Sequence, residues 1–103
     1  MNETLKTRLI SDAKLRLRLH TDAFNNEIGD LIDAAAADLI KRNAIQEAQL
    51  NGTTIDPLIK RAMLTYVRTY FGTPEDPERL KADYDEQKAT LMMTSGFTNW
   101  EES

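Results

Sequence analysis

Cysteine is absent from the 103 residues. Its absence excludes a disulfide framework and thiolate zinc sites, and it fits synthesis in a reducing cytosol. Histidine occurs once, as His20, so no Ser/His/Asp or Cys/His arrangement can be built. His20 falls at a helix junction, where a capping or surface role accounts for it. No apolar run approaches the ~20 residues of a membrane span, and the opening MNETLKTRLI lacks the pattern of a secretory signal. Glycine is sparse and never grouped into a phosphate-binding loop. An excess of positive charge is also lacking, because the formal net charge is −4. Gripping phosphates takes a concentrated basic face, so this balance argues against DNA binding through the overall field. An acidic protein beside DNA repels it. The expectation is a non-enzymatic chain without cofactor or metal.

What is present is ordinary for a water-exposed fold: 41% hydrophobic and 29% charged residues. The length predicts one domain over 1–103, able to bury roughly 60–70% of its unfolded surface. The clearest element is DPLIKRAMLTYVRTYFG, residues 56–72. Asp56 is a good N-cap and Pro57 suits the first helical position, where a missing N–H costs nothing. Ile59, Ala62, Met63, Tyr66, Val67 and Tyr70 recur at spacings of three and four, one helical face. Gly72 can adopt the left-handed conformation that closes a helix, and Pro74 stops resumption.

Around this packing helix the pattern places three more. Residues 2–19 carry two signals. Leu5, Leu9, Ile10, Ala13 and Leu17 fit a helix face, whereas AKLRLRLH alternates as a strand does. The reading is a short helix over about 12–18, preceded by an arm over about 1–10. Asp22 is expected to cap a long helix over about 22–42, with Phe24, Ile28, Leu31, Ile32, Ala35 and Leu39 inward. Gly29 weakens it by about 1 kcal/mol relative to Ala, and Asn43 and Ile45 resemble its C-terminal stop. QEAQLNGTTI, residues 46–55, reads as a long loop turning at Asn51-Gly52. Asp76 and Pro77 start a last helix over about 77–93, whose stripe of Leu80, Tyr84 and Leu91 is sparse. Residues 94–103 read as a non-helical tail. The fold class expected is all-α: two long antiparallel helices, a short N-terminal helix and a C-terminal helix, with an extended loop and tail.

The charged groups offer few candidates for chemistry. Lys14, Arg16 and Arg18 form the one basic cluster: a solvated face with snorkelling stems, or a contact for phosphate or a partner. Glu27, Asp30 and Asp33 share a helix face, as do Asp83, Asp85 and Glu86. A hard divalent ion would need further ligands converging from elsewhere, so both groups read as solvated acidic surface. In the tail, Phe97 and Trp100 either anchor the segment on a partner or fold back over Leu91 or Tyr84 as a lid.

The order of segments carries a resemblance. SDAKLRLRLHTDAFNNEIGDLIDAAAADLI, then a loop, then DPLIKRAMLTYVRTYFG, then ERLKADYDEQKATLMM leading into TSGFTNW, resembles the head-tail connector (adaptor) proteins of long-tailed bacteriophages over about Ser11 to Trp100. No catalytic motif is involved; order and spacing carry it. The resemblance implies a virion protein, made in the host cytoplasm, that assembles as a ring, commonly twelvefold, beneath the portal. Such a ring extends the DNA channel, lets DNA pass without specific binding, and docks the next head-completion or tail protein. By region it points to Asn51, Gly52 and Thr53 in the loop and to Phe97 and Trp100 in the tail as subunit or partner contacts. Two other classes compete: a small helical regulator acting as a dimer, and a nucleic-acid-binding module using Lys14, Arg16 and Arg18 with Lys60, Arg61 and Arg68.

Overall fold

Asn2 begins the first helix by accepting the Leu5 N–H on its side-chain oxygen at 3.1 Å. The computed structural model of the chain describes residues 1–93, and the described residues form four α-helices: α1 Glu3–Leu17, α2 Asn25–Lys41, α3 Pro57–Tyr70 and α4 Pro77–Met93. They contain no strand. The all-helical reading therefore holds, while the N-terminal segment needs correction. The arm and the short helix are one helix of 15 residues. Leu5, Leu9 and Ala13 are its buried residues, each four positions after the last. Helical burial overrides the local alternation, and Leu15, which a strand would have turned inward, is 76% exposed. Arg18 takes a left-handed φ of 57° and ends the helix, with the Leu19 N–H donating to the Lys14 carbonyl at 2.9 Å.

The start of α2 also departs from expectation. Phe24, not Asp22, is the N-cap residue, and it makes no side-chain cap bond. The Asp22 carboxylate instead takes the Lys14 ammonium from α1. Phe24, expected inside, is 42% exposed and meets Phe71 edge-on at 5.5 Å. Of the rest of the stripe, Ile28, Ile32, Ala35 and Leu39 are fully buried and Leu31 is partly buried against the core. Asn43, with φ 59°, supplies the left-handed stop. The Ala44 N–H then reaches the Leu39 carbonyl at 2.9 Å and Ile45 folds into the core.

The connection after α2 is less open than its composition suggests. Glu47–Leu50 is a turn of 3-10 helix, and Leu50 is buried. The Leu50 carbonyl accepts the Asn2 N–H at 2.9 Å, tying this connection to the start of α1. Asp56 then caps α3 by accepting the Leu58 N–H at 2.8 Å.

α3 is the hub, packed against each of the other three helices. Its buried residues, Ile59, Ala62, Met63, Leu64, Thr65, Val67 and Thr69, extend beyond one face. Thr65 and Thr69 are tolerated inside because their hydroxyls donate to the carbonyls four residues back, at 2.9 and 2.8 Å. Tyr66 is half-buried, but Tyr70, expected on the packed face, is 49% exposed. Gly72, with φ 61°, closes the helix, a conformation that glycine adopts without strain. α4 keeps its sparse stripe: Leu80, Tyr84 and Leu91 are buried and Met92 and Met93 are exposed.

Gly29 lies where α1 crosses α2. A Cβ there would stand 3.3 Å from Lys6 Cε and 3.5 Å from Ile10 Cδ1. The nearer atom belongs to a flexible stem that can shift by a few tenths of an ångström. Gly29→Ala should therefore recover most of the helix-propensity difference of about 1 kcal/mol. A rise of a few degrees in melting temperature is expected by circular dichroism. A fall of that size would show that α1 and α2 cannot separate at this crossing.

Candidate functional site

Asn51, Gly52 and Thr53 are exposed, and their backbone is held in place. The Asn51 carbonyl accepts from Asn2 Nδ2 at 3.4 Å and the Thr53 carbonyl from Arg8 Nη1 at 3.2 Å. The loop is thus a fixed projection from the α1 end of the bundle. Beside it, Leu5, Leu9, Ile55 and Pro57 line a small apolar groove. Neither Asn2 nor Arg8 could be picked out as a loop clamp from sequence, because their bonds go to backbone carbonyls 49 and 45 residues away, respectively.

The basic cluster divides. Lys14 turns toward α2 and pairs with Asp22, which the ammonium holds below the usual carboxylate range. Arg16 and Arg18 are exposed. Of the companions considered for nucleic acid, Lys60 pairs with Asp12 at 2.6 Å. Arg61 is exposed and Arg68 is half-buried at the far end of α3. On the acidic side, Asp33 accepts Lys6 Nζ at 2.8 Å, which raises the lysine's pKa. Among the described residues no group of three His, Asp or Glu side chains is placed to hold a metal ion. Phe97 and Trp100 lie outside the described residues.

Two features emerge that the sequence alone did not bring together. The first is a cleft of about 520 Å³ where α1 ends, α3 ends and α4 begins. Arg16, Arg68 and Arg79 line it together with Leu17, Phe71 and Leu80. These arginines sit at positions 16, 68 and 79, too far apart for any linear motif. The second is a polar tie between α2 and α4. Tyr84 Oη donates to Asp38 Oδ2 at 2.6 Å and Lys88 Nζ to the same oxygen at 3.2 Å. Burial pushes the Asp38 carboxyl up, but the bonds from Tyr84 and Lys88 outweigh it and leave its pKa lowered. Burial and the neighbouring carboxylate raise the Tyr84 phenol far above its ordinary value. Its ring meets Tyr66 edge-on at 5.3 Å. This is a clamp between helices: the phenol is locked as a donor and the carboxylate as an acceptor, with no group poised to exchange a proton.

The surfaces on offer are thus a fixed loop, an arginine-bearing cleft and exposed apolar groups at both ends of the bundle. They suit contact with other proteins. No helix among the described residues is long and apolar enough to cross a membrane. Residues 9–98 match the family model of the phage connector protein. The chain belongs to that family. Its role is accordingly that of a structural connector in phage, with other head or tail proteins as partners, and the expected kinship is shown over most of the chain. No curated protein and no solved structure matches.

Proposed function

We propose that this connector forms a ring beneath the portal, with about twelve copies, extending the DNA channel and joining the filled head to the tail. The match to the phage connector family over residues 9–98 is the observation that carries this reading. In each subunit α2 and α3 form the antiparallel frame. The loop at Asn51, Gly52 and Thr53 and the tail residues Phe97 and Trp100 contact a neighbour, the portal or the next tail protein. The protein is made in the host cytoplasm and resides at the head-tail junction of the virion, without enzymatic activity. Twelve chains carry −48 charges (12 × −4), a field that keeps DNA mobile within a channel.

The pairing of Lys14 with Asp22 and of Lys60 with Asp12 removes two cations from the competing nucleic-acid reading. Native mass spectrometry over a concentration series, with negative-stain imaging and the portal protein added, tests the proposal. Rings, alone or on the portal, are the expected result. A concentration-independent dimer indifferent to portal would contradict it and favour a regulator.

A further inference from the structure

We propose that the cleft between the ends of α1 and α3 and the start of α4 is the acceptor for the C-terminal segment of a second copy of this chain. The inference rests on the ring reading and names a contact that would hold the ring together.

The cleft has an uncommon balance. Leu17, Phe71 and Leu80 give it an apolar lining, and Arg16 and Arg68 make no ion pair among the described residues. Arg79 stands 3.8 Å from Asp76, whose other oxygen caps α4 by accepting the Arg79 N–H at 3.2 Å. Asp76 is therefore engaged at its own helix start, while Glu75 is exposed at the mouth. The occupant that fits carries large apolar side chains next to carboxylates. The chain contains such a segment beyond α4: Phe97 and Trp100 followed directly by Glu101 and Glu102. Aromatics seated in an apolar cleft and acids forked by arginine are the two contacts that dominate protein interfaces.

Geometry favours a second copy as the source. The cleft lies at Pro77–Leu80, the start of α4, whereas the segment leaves from Met93, its end. Thirteen helical residues separate Leu80 from Met93, roughly 20 Å. Seven further residues to Trp100 span at most about 24 Å when fully extended. Reaching the cleft of its own subunit would consume nearly all of that length. A neighbour's cleft imposes no such path. A contact joining the tail of one subunit to the opposite end of the next is heterologous, the kind that builds a ring when its rotation closes.

The test uses full-length chain and charge exchange. R16E/R68E gives the cleft acids, and E101K/E102K gives the tail bases. Trp100 is the only tryptophan, so its emission reports the segment directly. In sedimentation velocity each double variant alone should associate at least tenfold more weakly than the unaltered chain. Its emission should then stay at the long wavelength of solvent-exposed indole. An equimolar mixture should restore association, because each variant's tail now matches the other's cleft, and the emission should move to shorter wavelength. Normal association of R16E/R68E, or no restoration on mixing, would overturn the proposal. If R16E/R68E forms rings but no longer binds portal, the cleft serves the portal; this inference falls and the connector reading stands. If the unaltered chain neither self-associates nor binds portal, both fall.

Discussion

Met63→Ala should lower the melting temperature of the isolated chain by roughly 10–20 °C. Met63 is fully buried on α3, the helix that touches all the others. Truncating a buried Met, Leu or Ile to Ala removes transfer energy and leaves a cavity, at a cost of about 2–5 kcal/mol. A domain of this size has only about 5–15 kcal/mol in total, and each kilocalorie is worth about 4–8 °C. The loss should be large because Met63 is fully buried and the helix that carries it packs on the other three. Leu58→Ala is the control: Leu58 lies on the same helix but is 41% exposed, and its replacement should cost much less. Similar effects at the two positions, measured by thermal melts, would deny α3 its role as hub.

The second large effect is expected at Asp38. Asp38→Ala leaves the Tyr84 hydroxyl and the Lys88 ammonium, both little exposed, without their shared acceptor. Hydrogen bonds to charged groups contribute about 1.5–3 kcal/mol, so a loss of about 2–3 kcal/mol is expected. Tyr84→Phe should cost less, because the ring contact with Tyr66 and the Lys88–Asp38 pair both survive. The sign of the pH dependence follows from the lowered pKa of Asp38. A carboxylate that is more acidic in the folded chain adds stability above its unfolded value of about 3.9, and that stability is lost as pH falls through the folded value. The stability gap between the unaltered chain and Asp38→Asn should therefore shrink as pH drops below ~4. A gap that widens in acid would mean that Asp38 folds as a neutral acid.

These two residues also show what the sequence could and could not convey. Met63 was legible because burial on α3 repeats at helical spacing, and Asp56, Pro57 and Gly72 mark the helix ends chemically. The same local signals failed at α1, where AKLRLRLH alternates and only packing of Leu5, Leu9 and Ala13 against the other helices decides for helix. They failed again at Asp22: its best local use is a cap, yet a lysine eight residues earlier claims the carboxylate. Nothing in the spacing marks Asp38, because its partners lie 46 and 50 residues away. Arg16 and Arg68 were named only as possible nucleic-acid or partner contacts and Arg79 not at all, because the meeting of three helices at one cleft leaves no trace in spacing. Gly29 was legible as a weak point of its helix, but its place beneath Lys6 and Ile10 of α1 was not. Phe97 and Trp100 were marked by composition and fall outside the described residues.

On the function proposed above, this chain joins phage heads to tails. The most direct measurement is to count particles by negative-stain imaging from an infection in which its synthesis is blocked, before and after adding purified protein to the lysate. Heads and tails should accumulate unjoined, and the added chain should convert them to joined, infectious particles. Joined particles at normal yield without the chain would contradict the account.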